Sequence, residues 1–273
     1  MQVVGVNLYP VKSLGGVAVE SAVVEPWGLG GDRRWAIVDV DGRPVTARDV
    51  NALLGIGASP LPDGVCLSDR DGSSIDVARP DASRTVAVDF TRYDQALLAA
   101  ESASDWLSER IGSPMRLIWQ PDPTQRPLNP ERGGLPGESV SLADAGPLLL
   151  CSEASLARLN GWIGQAAEEA GAPYEPIDMR RFRPNLVIDG AEAFSEESWP
   201  RVQVGDVVFR TTMVCDRCVM TTIDPDTLRR GHEPIRSLAR HHRWDGVTWF
   251  GTRLVAEGPG SISVSDPVVP LAA

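Results

Sequence analysis

The chain has 273 residues, 42% hydrophobic and 23% charged, enough for one large domain or two smaller ones with their own cores. Its net charge of −11 argues against a nucleic-acid binder, so a site for an anionic ligand must come from local arginine clusters working against an acidic background. The start, MQVVGVNLYPVKS, lacks a basic n-region and a long apolar run, and no window approaches the ~20 apolar residues of a membrane helix, so a cytoplasmic protein is expected.

The first ~120 residues read as mostly strands. VVGVNLYPV and GVAVESAVVE are short apolar runs with alternation, and RRWAIVDVDGRPVTAR predicts a hairpin turning at Asp41-Gly42. GVCLSDRDGSSIDVA predicts another at Asp71-Gly72, and RTVAVDF a further strand. SASDWLSERIG predicts a helix with Trp106, Leu107 and Ile111 at helical spacing, Ser102 or Ser104 as N-cap and Gly112 as stop. QPDPTQRPLNPERGGLPGES has no apolar period and reads as an interdomain connection or a functional loop. SEASLARLNGWIGQAAEEAG is the clearest helix: Ser152 caps it, Leu156, Leu159, Ile163 and Ala167 share one face, and Gly171 ends it. Strands resume at FRPNLVIDG and RVQVGDVVFRTTMV, with a Gly205-Asp206 turn, and the tail closes in short strands broken by Gly and Pro.

Four cysteines in a chain this long do not make a disulfide framework. Two of them, Cys215 and Cys218, stand as Cys-x-x-Cys in VCDRCVMTTIDPDT. Structural zinc needs four soft ligands and only one such pair is present, while His241 and His242 are adjacent rather than suitably spaced. A thioredoxin-like pair needs a helix N-terminus after the second cysteine, and VMTTIDP is a poor helix start. Two packed thiols, or one thiolate on a soft or high-valent metal with Arg217 beside it and Asp224 anchoring the loop or lending a carboxylate, remain open.

Three other stretches exceed structural need. YPVKSLGG holds the only lysine of the chain, Lys12, beside Ser13 and two glycines, a grouping suited to an oxyanion. GGDRRWAIVD sets Asp32, Arg33 and Arg34 at a strand entry, and MRRFRPNLVI, with Arg180 and Arg181, puts Arg183 and Asn185 two residues apart on one strand face. A guanidinium and a carboxamide side by side suit a phosphate or a heterocycle edge.

YPVKS, GDRRW, VTAR, LLLCSEASLARLN, FRPNLVIDG, the Phe194, Glu196, Trp199 spacing and CDRCVMTTIDPDT occur in an order that resembles MOSC-domain proteins. More narrowly, they resemble the group with an N-terminal β-barrel region that includes the mitochondrial amidoxime-reducing component and its bacterial relatives. The resemblance implies a β-rich α+β fold, an N-terminal β-barrel-like domain (1–120) packed on a C-terminal MOSC β-barrel with a few helices (121–273). It implies a molybdenum cofactor, with molybdenum held by a pyranopterin dithiolene and one protein cysteine. Carried over, the metal ligand is Cys218 and not Cys215, the pterin and its phosphate fall to Lys12, Ser13, Arg33, Asp144, Arg183, Asn185, Asp216 and Arg217, and Asp224 joins Cys218 as a catalytic candidate.

Two departures stand out: Leu228 follows DPDT where the family usually has Gly, which implies a different turn, and Ala145 and Gly146 replace the Thr and Ser of the mitochondrial members. The implied activity is reduction of N-hydroxylated compounds such as amidoximes or hydroxylamines, with electrons from a separate flavin or iron–sulfur protein; no zinc and no fused iron–sulfur cluster are expected. The alternatives are a sulfur or cofactor carrier, since MOSC domains also occur fused to cofactor sulfurases, and a cofactor-free MOSC module. Those sulfurases use pyridoxal phosphate, which makes Lys12 a Schiff-base candidate, although a phosphate contact is the simpler role.

Overall fold

The computed structural model describes residues 1–272 and is rich in strand, with three α-helices among the described residues: α1 (Glu101–Ile111), α2 (Glu153–Glu169) and α3 (Ile235–His241). No helix among them is long and apolar enough to cross a membrane.

Two compact units are interleaved along the chain, where two consecutive domains, 1–120 and 121–273, are the sequence expectation. One unit contains Met1–Asn7, Ala18–Leu29 and the segment from Gly146 onward; the other contains Leu8–Val17 and Gly30–Ala145. Strand pairing supplies the reason. Gln2–Leu8 pairs antiparallel with Leu186–Asp189, with Val3 opposite Ile188 and Val6 opposite Leu186, so the first strand belongs to the sheet of the C-terminal segment.

The large sheet runs in the order Val268–Leu271, Arg201–Val204, Val207–Asp216, Val247–Ala256, Leu148–Ser152, Leu186–Asp189, Gln2–Leu8, Val17–Val19. Val3 N donates to Asp266 O at 2.9 Å and Ser265 N to Val3 O at 2.8 Å, which ties the start of the first strand to the turn that leads into Val268–Leu271, at the far side of that order. Leu148–Ser152 and Leu186–Asp189 are parallel, and α2 makes the crossover between them. Its cap is the expected one, with Ala154 N donating to Ser152 Oγ at 3.2 Å. Leu156, Leu159 and Ile163 of α2 pack into a core with Cys151, Phe182, Cys215 and Phe250. The tail does close in two short strands, Gly260–Ser263 and Val268–Leu271, but its beginning belongs to Val247–Ala256, one ten-residue strand buried along nearly its whole length.

The other unit has two antiparallel sheets. Trp35–Val38, Arg116–Trp119, Tyr93–Leu98 and Thr85–Phe90 form one, over a core of Val38, Phe90, Tyr93, Ile118 and Leu142. Gly57–Leu61, Gly64–Ser68 and Ser74–Ala78 form the second. Gly72 turns the hairpin with φ 89°, as its sequence requires. At Gly42 the tight turn forms, but its second arm amounts to a bridge between Val38 and Pro44, because Pro44 has no N–H for the ladder.

α1 begins a residue or more before either expected serine, at Ala100, with no side-chain cap; Gly112 does end it, in the left-handed region. The proline-rich 120–139 segment is a structured loop of the second unit. Its Arg126 is buried and donates to the carbonyls of Ser141 and, at 2.7 Å, Ala143, which pins the loop from inside.

Candidate functional site

Val207–Asp216 ends at the Cys-x-x-Cys, so Cys215 is buried on a strand while Cys218 is exposed, at the entry of a 3-10 turn over Val219–Thr222. Arg217 Nη1 donates to Cys215 Sγ at 2.8 Å and its Nη2 to Phe182 O at 2.8 Å, with the guanidinium 5.1 Å from the Phe182 ring centre. The two sulfurs thus have separate surroundings. One thiol is packed against an arginine in the core and the other is open to a ligand.

Buried charge surrounds this turn. Arg253, 6% exposed, pairs with Asp216. Arg181 Nη2 donates to Asp224 Oδ2 at 2.8 Å and its Nη1 to Thr222 O at 3.2 Å. Asp224 Oδ1 also accepts from Thr227 N at 2.7 Å, Asp226 N at 3.1 Å and the Thr227 hydroxyl at 3.0 Å. Burial works against the Asp224 charge, but the bonds from Thr227 and the field of Arg181 hold it below the usual carboxylate range. Its observed bonds make Asp224 the organiser of the loop that follows Cys218.

Arg183 and Asn185 depart from the one-face reading. Phe182 closes a 3-10 turn, Arg183 caps it at φ 57°, and the strand begins only at Leu186. Pro184 accounts for the late start of the strand, since it supplies no N–H for a ladder. Asn185 Nδ2 donates to Asn7 O at 3.2 Å and its Oδ1 accepts from Leu149 N at 3.2 Å, so the carboxamide ties neighbouring strands of its own sheet.

The second unit carries its own cluster. Lys12, 9% exposed, donates Nζ to Leu142 O at 2.9 Å and pairs with Asp144. Burial pushes the Lys12 ammonium down and Asp144 pushes it back up; the ammonium in turn holds the Asp144 carboxyl well below its usual range. Arg33 Nη1 contacts Asp32 Oδ2 at 2.6 Å, and Asp32 Oδ1 accepts from Tyr9 N at 2.8 Å. Ser13 and Arg33 have φ of 70° and 49°. Lys12, Ser13, Arg33 and Asp144 therefore lie in one unit; Arg183, Asn185, Asp216, Arg217, Cys218 and Asp224 lie in the other.

Comparison with known proteins bears on these motifs. The description of the MOSC domain matches residues 137–269, and that of the MOSC N-terminal beta barrel domain matches residues 1–114. Mitochondrial amidoxime-reducing component 1 of Homo sapiens is 32% identical over 96% of this chain and 80% of its own. The chain belongs to the MOSC-domain family. The Xenopus laevis protein of the same name is 30% identical over 96% of this chain and 79% of its own. A molybdenum cofactor sulfurase of Oryza sativa subsp. japonica is 29% identical over 90% of this chain, which spans 31% of that longer protein.

The donor set at Cys218 fits the cofactor expected from this MOSC resemblance. A thiolate suits a soft metal centre. Arg217 Nε and Arg253 Nη1 are shielded from water with no hydrogen-bond partner among the described residues, so donors for an anionic group are already desolvated there. Sequence reasoning missed Arg253 and Arg126, and met Arg181 only as part of the MRRFR run, with no role assigned to it. The available signal for Arg253 was a single arginine inside the apolar run of GTRLVA. The Gly146 departure also has a steric reason: a Cβ there would meet Arg253 side-chain carbons at 3.0–3.3 Å.

Leu228 corrects a second expectation about the MOSC motif. Its φ is 58°, so the turn keeps the left-handed conformation that glycine favours and leucine resists. Leu228→Gly is expected to raise stability by roughly 0.5–1 kcal/mol, the relief of backbone strain set against the greater freedom of glycine in the unfolded chain. A thermal melt checks this, and a lower midpoint would show that packing of the Leu228 side chain outweighs the strain.

Proposed function

We propose that this chain is a molybdenum-cofactor-dependent reductase of N-hydroxylated compounds, with Cys218 as the protein ligand of the metal. The carrying observation is the exposed Cys218 thiol in a turn where the adjacent Arg217, and Arg253 through its pair with Asp216, each keep one desolvated N–H with no partner among the described residues. The names of the relatives support the two parts of this reading, amidoxime reduction from one and the molybdenum cofactor from the other. When bound, the group supplies the redox chemistry: an N–OH compound takes two electrons and two protons and leaves as N–H and water.

The residues of this chain would bind and orient. Cys218 supplies the thiolate. Arg217 and Arg253, whose charge is set against Asp216, favour an anionic group at that turn, and Arg183 adds a third guanidinium from its left-handed cap. Asp224 acts as a positioning residue that fixes the loop. In the other unit Lys12, Ser13 and Arg33, with Asp144 as counter-charge, form an oxyanion-binding set suited to a phosphate. Electrons would come from a separate donor protein.

The test is the molybdenum content of protein made in a host that assembles the cofactor, followed by reduction of benzamidoxime to benzamidine with a chemical electron donor. About one tightly held molybdenum per chain with turnover is the expected result. Exchangeable, substoichiometric metal without turnover would favour a cofactor or sulfur carrier, the reading suited to so open a thiol. No molybdenum at all would point to a cofactor-free module.

A further inference from the structure

A cavity of about 490 Å³ lies in the Gly146-containing unit, within the size range of small-molecule sites, and Cys218 is not among its lining residues. Its two sides differ in chemistry. The C-terminal half of α2 supplies Ile163, Ala166 and Ala167, short apolar side chains, and Pro176 and Ile177 extend this wall. The loop from Asp224 to Arg236, together with Arg181, supplies the polar side. A Cβ built on Gly231 of that loop would meet only Thr222 O, at 3.8 Å, so space remains on this side.

The charges do not balance. Four arginines (181, 229, 230 and 236) face three acids, Glu175, Asp224 and Glu233, and His232 stands among them. Two of the acids are engaged directly: Arg181 reaches Asp224 at 2.8 Å and Arg236 reaches Glu233 at 3.5 Å. The balance is positive, in a chain whose net charge is −11. In addition, Arg181 Nε is shielded from solvent with no hydrogen-bond partner among the described residues. A buried donor of this kind is costly unless a ligand or water meets it.

We propose that this cavity binds a small organic anion with an apolar body, of the aryl or alkyl carboxylate class. The carboxylate lies toward Arg181 Nε and Arg229, where the Arg229 fork can take both oxygens, and the body lies on the alanine face of α2. The same loop continues back to Cys218 through Asp224 and the Arg181–Thr222 contact, so occupancy is felt in the turn that holds the thiol.

The experiment uses the full chain carrying Cys218→Ser, which makes it independent of any metal at that thiol. 2-Naphthoate is titrated by calorimetry and by ¹⁵N amide shifts, with uncharged 2-naphthamide as control. Saturable one-site binding is expected, with shifts at Ala167, Thr227 and Gly231. The amide and the Arg229→Glu variant are each expected to bind at least about tenfold more weakly, the loss of one good charge-assisted contact. Ala167→Phe, which fills the apolar side, should abolish binding; if it fails to fold by circular dichroism, the exposed Arg229→Glu variant still decides. Unsaturable shifts, equal affinity for the amide, or undiminished binding in folded variants would overturn the proposal.

Discussion

With Cys218 as the proposed metal ligand, Cys218→Ser is expected to lose molybdenum and at least about 100-fold of the proposed reductase activity, because even outer partners of metal ligands are worth 10–100-fold. Cys215→Ser should keep both. The difference follows from their surroundings and not from the motif they share. Cys218 is exposed at the start of a turn, so its hydroxyl replacement disturbs no packing, and between metal-free preparations the melting temperature should barely move. Cys215 is packed with Phe182 and Phe250 and accepts from Arg217 at 2.8 Å, so its serine variant should cost about 1 kcal/mol of stability while leaving the metal in place. Metal analysis by mass spectrometry and a melt on the same two preparations separate the effects. Metal lost from the Cys215 variant and retained in the Cys218 variant would sink the assignment.

The separation of those two thiols was not legible in Cys-x-x-Cys spacing alone, which treats both sulfurs alike. Periodicity served well where one face meets one core. α2, with Ser152, Leu156, Leu159 and Ile163, behaves as its pattern requires, and the hairpins at Gly72 and Gly205 turn where glycine permits positive φ. It failed where a local rule yields to tertiary demand. The apolar pattern puts Arg183 on a strand, but it caps the preceding 3-10 turn at φ 57°. Ser13 and Arg33 share that left-handed conformation, so three residues singled out for cofactor binding occupy backbone geometry that side chains ordinarily avoid. Sequence pattern carries no signal for such strain, although strain of this kind concentrates at functional sites.

Pairing across sequence distance was equally hidden. Nothing in QVVGVNL announces that it pairs with LVID nearly two hundred residues later, yet that pairing interleaves the two units. The buried arginines share this character. Arg253 and Arg126 read as solvated charges until the carboxylate and carbonyls that receive them come into view.

Glu196→Gln is expected to make the protein more stable above neutral pH and to flatten its pH dependence. Glu196, from the Phe194, Glu196, Trp199 motif, is fully buried, and Ser155 Oγ donates to its Oε1 at 2.7 Å. Oε2 is shielded and has no partner among the described residues. Burial pushes the carboxyl from 4.5 up to about 7; the bond from Ser155 pulls the other way, and neighbouring Glu197 adds a smaller push. The folded state therefore binds a proton that the unfolded state has released between pH 4.5 and about 7. Stability from this group is complete below pH 4.5, falls as pH rises through that window, and is gone above it, a loss on the order of 2–4 kcal/mol. Glutamine keeps the acceptor for Ser155 and cannot ionise. Urea unfolding of both proteins should agree near pH 5 and diverge by pH 8, with the variant more stable. Parallel curves across pH 5–8 would mean that Glu196 stays ionised in the core, held by groups other than Ser155.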